Sequence, residues 1–164
     1  MHINGYDMDI NFTTISNNIR AKVYPLIGSG SGRAVYDLDN GYVVKAARNR
    51  KGIEQNKAEY QISNMEDWKI FAKVLAHSED FSLLIMEKAR HIRSFSEVWN
   101  FYHVKNNRQL LSSNEFRAVL EKYDLLTADL YRLSSWGIIN EKPVIIDYGF
   151  TKKVQELYRK RMFF

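Results

Sequence analysis

Lys45 stands in the apolar run "YVVKAA", where a charge is costly to bury, and "GSGSG" at 28–32 comes shortly before it. A loop carrying Gly28, Gly30 and Gly32 can lie close to phosphate groups and offer backbone N–H donors that a Cβ would hold off. An amine on the following strand can then bind phosphate oxygens. Such an amine needs a carboxylate to hold it, and Glu59 in "QNKAEYQI", 14 residues on, is the best candidate, ahead of Glu54 and Glu66. Asp147 in "PVIIDYGF" leaves an apolar run two residues before a glycine, a rigid position from which a hard oxygen can reach Mg²⁺. Asp129 in "LLTADLYRL" is placed to act as a base near such an ion. Each group also has a plainer role. The glycines can be a flexible hairpin, and Lys45 can face solvent by the two-residue alternation of a strand. Asp147 and Asp129 can be turn or helix-end residues.

The elements that must position these groups follow from patterning. "VYPLIG", "RAVYDL" and "YVVKAA", separated by the glycines and by "DNG" at 39–41, predict a hairpin followed by a third strand over 23–45. A helix is expected over 51–65. "KIFAKVLA" and "FSLLIMEKA" predict two further strands about the turn "HSED". Beyond residue 90 helical spacing takes over. Ser94 with Glu97 and Ser112 with Glu115 fit capping boxes, and Phe116, Val119, Leu120 and Tyr123 recur at helical intervals. "TADLYRLSSWGII" is followed by a turn at "NEKP", a strand "VIID", and a short basic helix in the last stretch, with Val154, Leu157, Tyr158 and Met162 as its apolar stripe. The chain divides into an arm over 1–22, read as loose or as an edge strand, a strand-rich part over 23–90 and a helix-rich part over 91–164.

Composition narrows the function classes. With no cysteine in 164 residues, disulfides, thiolate catalysis and Cys-ligated zinc are excluded. A net charge of +5 favours acidic partners. The basic runs "RNRKG" and "RKR" come without a nucleic-acid-binding motif. The N-terminus lacks the basic-then-apolar order of a signal peptide, and no apolar run approaches a membrane span, so a cytoplasmic protein is expected.

Taken in order, glycine hairpin, strand lysine, helix glutamate, two strands, helix, Asp129 and "DYG" resemble the protein-kinase family over roughly residues 23–150. "GSGSGRAV" is similar to its glycine-rich loop, ending at Val35, and "VVK" to its ATP-lysine strand. "LLIMEK" is similar to the strand that leads to the interlobe hinge. The resemblance implies an α+β, two-lobed kinase-like fold and a site for ATP and Mg²⁺. In that site Lys45 and Glu59 form an ion pair, Met86 is the gatekeeper, and Glu87–Ala89 offer backbone groups to adenine. Asp129 is the catalytic base and Asp147 the metal ligand, 18 residues apart.

Three departures accompany the likeness. Thr127-Ala128-Asp129 replaces His-Arg-Asp, so no arginine is in place to receive an activation-loop phosphate. Ser134 stands where a metal-binding asparagine is expected, and a hydroxyl is the poorer ligand. Only 14 residues follow Phe150, fewer than a peptide-docking subdomain needs. The implied protein is a minimal kinase of the bacterial, bacteriophage or secreted-effector kind, acting on a protein Ser/Thr hydroxyl. The alternative is a pseudokinase that binds and regulates a partner protein. A small-molecule phosphotransferase is a further reading.

Overall fold

The strands form where apolar residues alternate between turn signals, and each turn has a chemical cause. The computed structural model describes residues 9–65 and 70–160. Helix α1 (Phe12–Arg20) precedes β1 (Leu26–Ser29), β2 (Arg33–Asp37) and β3 (Tyr42–Ala47). At the β2–β3 turn the Asp37 and Asn40 side chains accept from the N–H groups of Asp39 and Tyr42, and Gly41 adopts φ +88°. Helix α2 (Arg50–Met65), β4 (Val74–His77) and β5 (Leu83–Glu87) complete an antiparallel sheet of order β1-β2-β3-β5-β4.

The register of this sheet decides what faces the interior. Val35 lies opposite Lys45, Lys45 opposite Leu84, and Val43 opposite Met86. Alternation therefore puts Arg33, Val35, Val43, Lys45, Leu84 and Met86 on one face. That face is charged toward the glycine loop and apolar toward the end of β5. The other face carries Val44, Leu83 and Ile85, which pack against Ile15 of α1, with Phe12 and Ile19 beside it.

This is a correction to the loose arm or edge strand expected over 1–22, although residues 1–8 of that arm lie outside the described residues. The polar 10–20 stretch is helical because Phe12, Ile15 and Ile19 recur on one side. The Asn11 side chain caps the helix by accepting from the Thr14 N–H at 3.0 Å.

Strand β6 (Arg90–His91) leads to α3 (Ser96–Tyr102), α4 (Asn107–Ser112) and α5 (Asn114–Tyr123). Two 3₁₀ turns follow (Thr127–Tyr131 and Leu133–Ser135), then β7 (Trp136–Ile139), β8 (Lys142–Ile145) and α6 (Lys152–Arg159). The protein is thus α+β, as expected, with an antiparallel sheet followed by helices.

The capping boxes differ from expectation. The Ser94 hydroxyl accepts from the Ser96 N–H, while the Glu97 carboxylate takes the Arg93 N–H. Ser112 ends α4, so the helix start falls one residue later, at Ser113, without a side-chain cap bond. Strand β7 was not predicted. Its hairpin with β8 turns through Asn140 and Glu141, both at positive φ, the conformation a two-residue turn requires. Helix α6 matches the expected basic helix as far as Arg159, and Met162 lies outside the described residues.

One core joins the two halves. Phe116, Trp136, Val98 and Leu110 are almost wholly buried with Leu84 and Met86 of the sheet in a single cluster. The backbone also crosses between them: the Ile145 N–H donates to Ile70 O at 2.7 Å, and the Ala72 N–H donates to Ile145 O at 2.9 Å. This anchors the end of β8 immediately before Asp147. Because α1 shields the back of the sheet, Ile15→Ala should lower stability in chemical denaturation by about 2–3 kcal/mol, the low end of the range for buried Ile→Ala changes.

Candidate functional site

Glu59 has no exposed surface, and everything charged near it is arranged around its carboxylate. It sits on α2, whose buried residues are Gly52, Asn56, Glu59 and Ile62. That stripe is helical in spacing but mostly polar, and it faces the charged end of the sheet. Lys45 Nζ donates to Glu59 Oε1 at 2.9 Å and Oε2 at 3.0 Å, and to the carbonyl of Ile146 at 2.6 Å. Arg33 approaches the same carboxylate in a two-pronged geometry, Nη1 to Oε2 and Nη2 to Oε1, both at 2.8 Å. Its Nη1 also reaches Asn56 Oδ1 at 3.0 Å, and its Nη2 reaches Asp147 Oδ1 at 3.0 Å. The Tyr148 N–H completes the set on Glu59 Oε1 at 3.2 Å.

Burial alone would raise the Glu59 pKa. Arg33 first and Lys45 second reverse this and bring it down to about 2. Burial pulls the Lys45 ammonium below its usual range, with Glu59 opposing the shift. Arg33 is also penalised by burial, but Glu59 holds it above its ordinary value.

Asp147 emerges from a braced segment. The Ile146 N–H donates to Ser135 O at 2.8 Å, and the Tyr148 hydroxyl donates to Ala72 O at 2.6 Å. One Asp147 oxygen meets Arg33, yet the side chain remains 51% exposed, so the carboxylate also faces the cleft. Asp129 lies in the first 3₁₀ turn. Its carbonyl accepts the Ser135 hydroxyl at 2.6 Å, and the Trp136 indole N–H closes on Leu130 O at 3.0 Å. Burial raises the Asp129 pKa, Arg132 opposes this, Asp147 adds to it, and Lys51 opposes it again.

These groups share a cleft of about 600 Å³. Gly28, Gly30, Gly32, Val35, Lys45, Met86, Glu87, Ala89, Asp129, Ser134 and Asp147 all line it, with Glu59 directly behind Lys45. Lys45 is 5% exposed, so it does not face solvent. Val35, Val43, Met86, Ala89 and Ile146 make one end apolar, and the absence of a side chain at Gly137 lets Ala89 pack close beneath it. The Glu87 N–H is already taken by Lys73 O at 2.9 Å. Ser134 is exposed on the cleft wall. Among the described residues no three His, Cys, Asp or Glu side chains form a metal-binding group; Asp147, Asp129 and Ser134 bring side-chain oxygens to the cleft lining.

A glycine-rich hairpin of this kind is expected to be flexible. The structure fastens it. Arg48 Nη1 donates to Gly30 O at 3.0 Å, Asn49 Nδ2 to Ser31 O at 2.9 Å, and Lys51 Nζ to Ser31 Oγ at 2.8 Å. A Cβ on Gly32 would strike Gln55 Oε1 and crowd Gly52 of α2, so this glycine serves close approach. Arg33, Asn56, Lys51 and Arg132 were missed as site residues. Arg33 had a signal: it lies two residues before Val35 on the same strand, so alternation turns both toward the cleft.

No protein-family profile matches the sequence, and no curated protein does. Solved structures share an overall likeness with the chain, two of them being complexes of APH(2")-IIa. The gentamicin complex of APH(2")-IIa aligns at 13% identity and TM-score 0.47, covering 90% of this chain and 71% of that one. The streptomycin–ATP–APH(2")-IIa ternary complex aligns at 15% identity and TM-score 0.45, covering 90% and 72%.

Glu59→Gln should leave two buried cations facing a neutral amide and cost about 3–5 kcal/mol at neutral pH. In the unmutated protein the lowered Glu59 pKa contributes stability above the unfolded value near 4.5. This contribution, about 3 kcal/mol, should be lost as pH falls from there toward about 2, and Glu59→Gln should remove that part of the pH dependence in denaturant titrations.

Proposed function

We propose that this chain is a kinase-like phosphotransferase that binds ATP with Mg²⁺ in the cleft between the sheet and the helical half. The observation that carries this reading is the convergence of Lys45, Glu59 and Asp147, drawn from three elements, at the charged end of a cleft whose other end is apolar. A planar base suits the apolar end beside Val35, Val43, Met86 and Ala89. The phosphates suit the end where Lys45 and Arg33 stand. Asp147 would hold the divalent ion through its exposed side, with Ser134 as the neighbouring oxygen. Bound Mg-ATP supplies the phosphoryl group that is transferred and part of the charge that steadies it. Lys45, fixed by Glu59, would orient the phosphates. Asp129 would receive the proton of the acceptor hydroxyl on a carboxylate oxygen, a role its raised pKa favours.

The acceptor side supports a neutral or acidic substrate. Asp129 is flanked by Lys51 and Arg132, which repel a polycation, and the chain as a whole carries +5. A protein Ser/Thr hydroxyl near acidic residues fits this. The second reading, a pseudokinase that binds a regulated partner, draws support from Ser134 and from the Arg33–Asp147 contact, which engages one oxygen of the proposed metal ligand.

Mg-ATP at about 100 times its Kd should stabilise the protein by about 2.7 kcal/mol, seen as a rise of several degrees in Tm. Lys45→Ala and Asp147→Asn should abolish the rise. Asp129→Asn should keep it and remove phosphate transfer to casein-type acidic protein acceptors. A wild-type protein with no Mg-ATP response defeats the phosphotransferase reading, and binding without transfer favours the pseudokinase.

A further inference from the structure

Among the described residues, Arg33 is a charged group on the Lys45–Glu59–Asp147 cluster that the kinase-like pattern does not anticipate. The spacing G-x-G-x-x-G, started at Gly28, asks for a third glycine at position 33. An arginine stands there instead, and its guanidinium is neither on the surface nor idle. The side chain is 8% exposed. Nη1 and Nη2 contact Asn56, both oxygens of Glu59, and Asp147 Oδ1, within 2.8–3.0 Å. Lys45 holds the same Glu59 carboxylate from the other side.

The charges add up differently because of it. Lys45, Glu59 and Asp147 alone sum to −1, and with Arg33 they sum to zero. Arg33 cannot shed its proton to escape burial, so this positive charge is permanent. It also occupies one Asp147 oxygen, while Ser134 offers only a hydroxyl nearby. The oxygen atoms that would hold a second divalent ion are thus reduced, at the place where a fixed cation has been added.

We propose that Arg33 is a fixed charge beside the phosphate end of this site, acting through its field while its Nη hydrogens stay on Asn56, Glu59 and Asp147, and that it takes over the work of a second metal ion, so that the protein binds a nucleoside triphosphate with one divalent cation. This rests on the ATP-binding reading above. Arg33 contributes its charge through a position set by Glu59 and Asn56. A single ion would be held through the exposed side of Asp147.

The test is calorimetric binding of a non-hydrolysable ATP analogue, with Mg²⁺ and in EDTA, joined to a count of bound Mn²⁺ by electron paramagnetic resonance. The wild type should bind one Mn²⁺ per nucleotide and keep measurable affinity in EDTA. Arg33→Met should weaken binding in EDTA about tenfold or more beyond its effect in Mg²⁺, as expected for loss of a permanent charge near the phosphates. Arg33→Lys should recover part of this. Two Mn²⁺ per nucleotide in the wild type would overturn the proposal, as would equal metal dependence in wild type and Arg33→Met. If Arg33→Met does not fold, the wild-type Mn²⁺ count and EDTA affinity decide alone. No nucleotide binding by the wild type under any condition would overturn the ATP reading itself, and the role of Arg33 with it.

Discussion

A single carboxylate with no access to water organises this protein. Glu59 would be intolerable at its depth without cations, and it has two, Lys45 from β3 and Arg33 from β2. The dependence runs both ways, since two buried cations without Glu59 would repel each other at close range. Through Ile146 O, the Tyr148 N–H and Asp147, the same cluster ties the segment after β8 to the sheet and α2. Sheet, α2 and the Asp147 turn are therefore held together by electrostatics at the point where they meet, with hydrophobic packing and the hydrogen bonds of Ile70 and Ala72 to Ile145 and Tyr148 beside it.

That division explains the odd composition of α2. A helix packed on a sheet ordinarily buries an apolar stripe. Here the stripe opens with Gly52, Asn56 and Glu59, and Ile62 is its buried apolar member. Gly52 lets the glycine loop approach, Asn56 ties α2 to Arg33 and to Phe81 O, and Glu59 receives the cations. Apolar burial is supplied on the opposite side of the sheet by α1, so the strands are covered on both faces. The inner face is thereby left free to carry charge at one end.

Much of this was legible in the residues. Lysine in an apolar strand, a glutamate one helix later, and an aspartate leaving an apolar run each have a plainer role when taken alone, and become informative together. Their order marked the α+β architecture. What was not legible has physical causes. Arg33 looks like a surface arginine until the strand register turns it inward beside Val35. Helix α1 is polar on most of its surface and shows its purpose only against Val44, Leu83 and Ile85. Strand β7 begins inside a run of hydroxyls and turns, and its pairing with β6 and β8 comes from distant partners. The break between α4 and α5 falls at the extended backbone of Ser113, one residue beyond the helix start that the Ser112–Glu115 pattern marks.

The tethering of the glycine loop by Arg48, Asn49 and Lys51 has an entropic consequence. A loop that must become ordered around its ligand surrenders conformational freedom at the moment of association, and affinity suffers accordingly. Here that freedom is relinquished during folding, when the tip is stitched to the start of α2. The cleft is thus preorganised, and the ligand proposed for it would meet a standing shape.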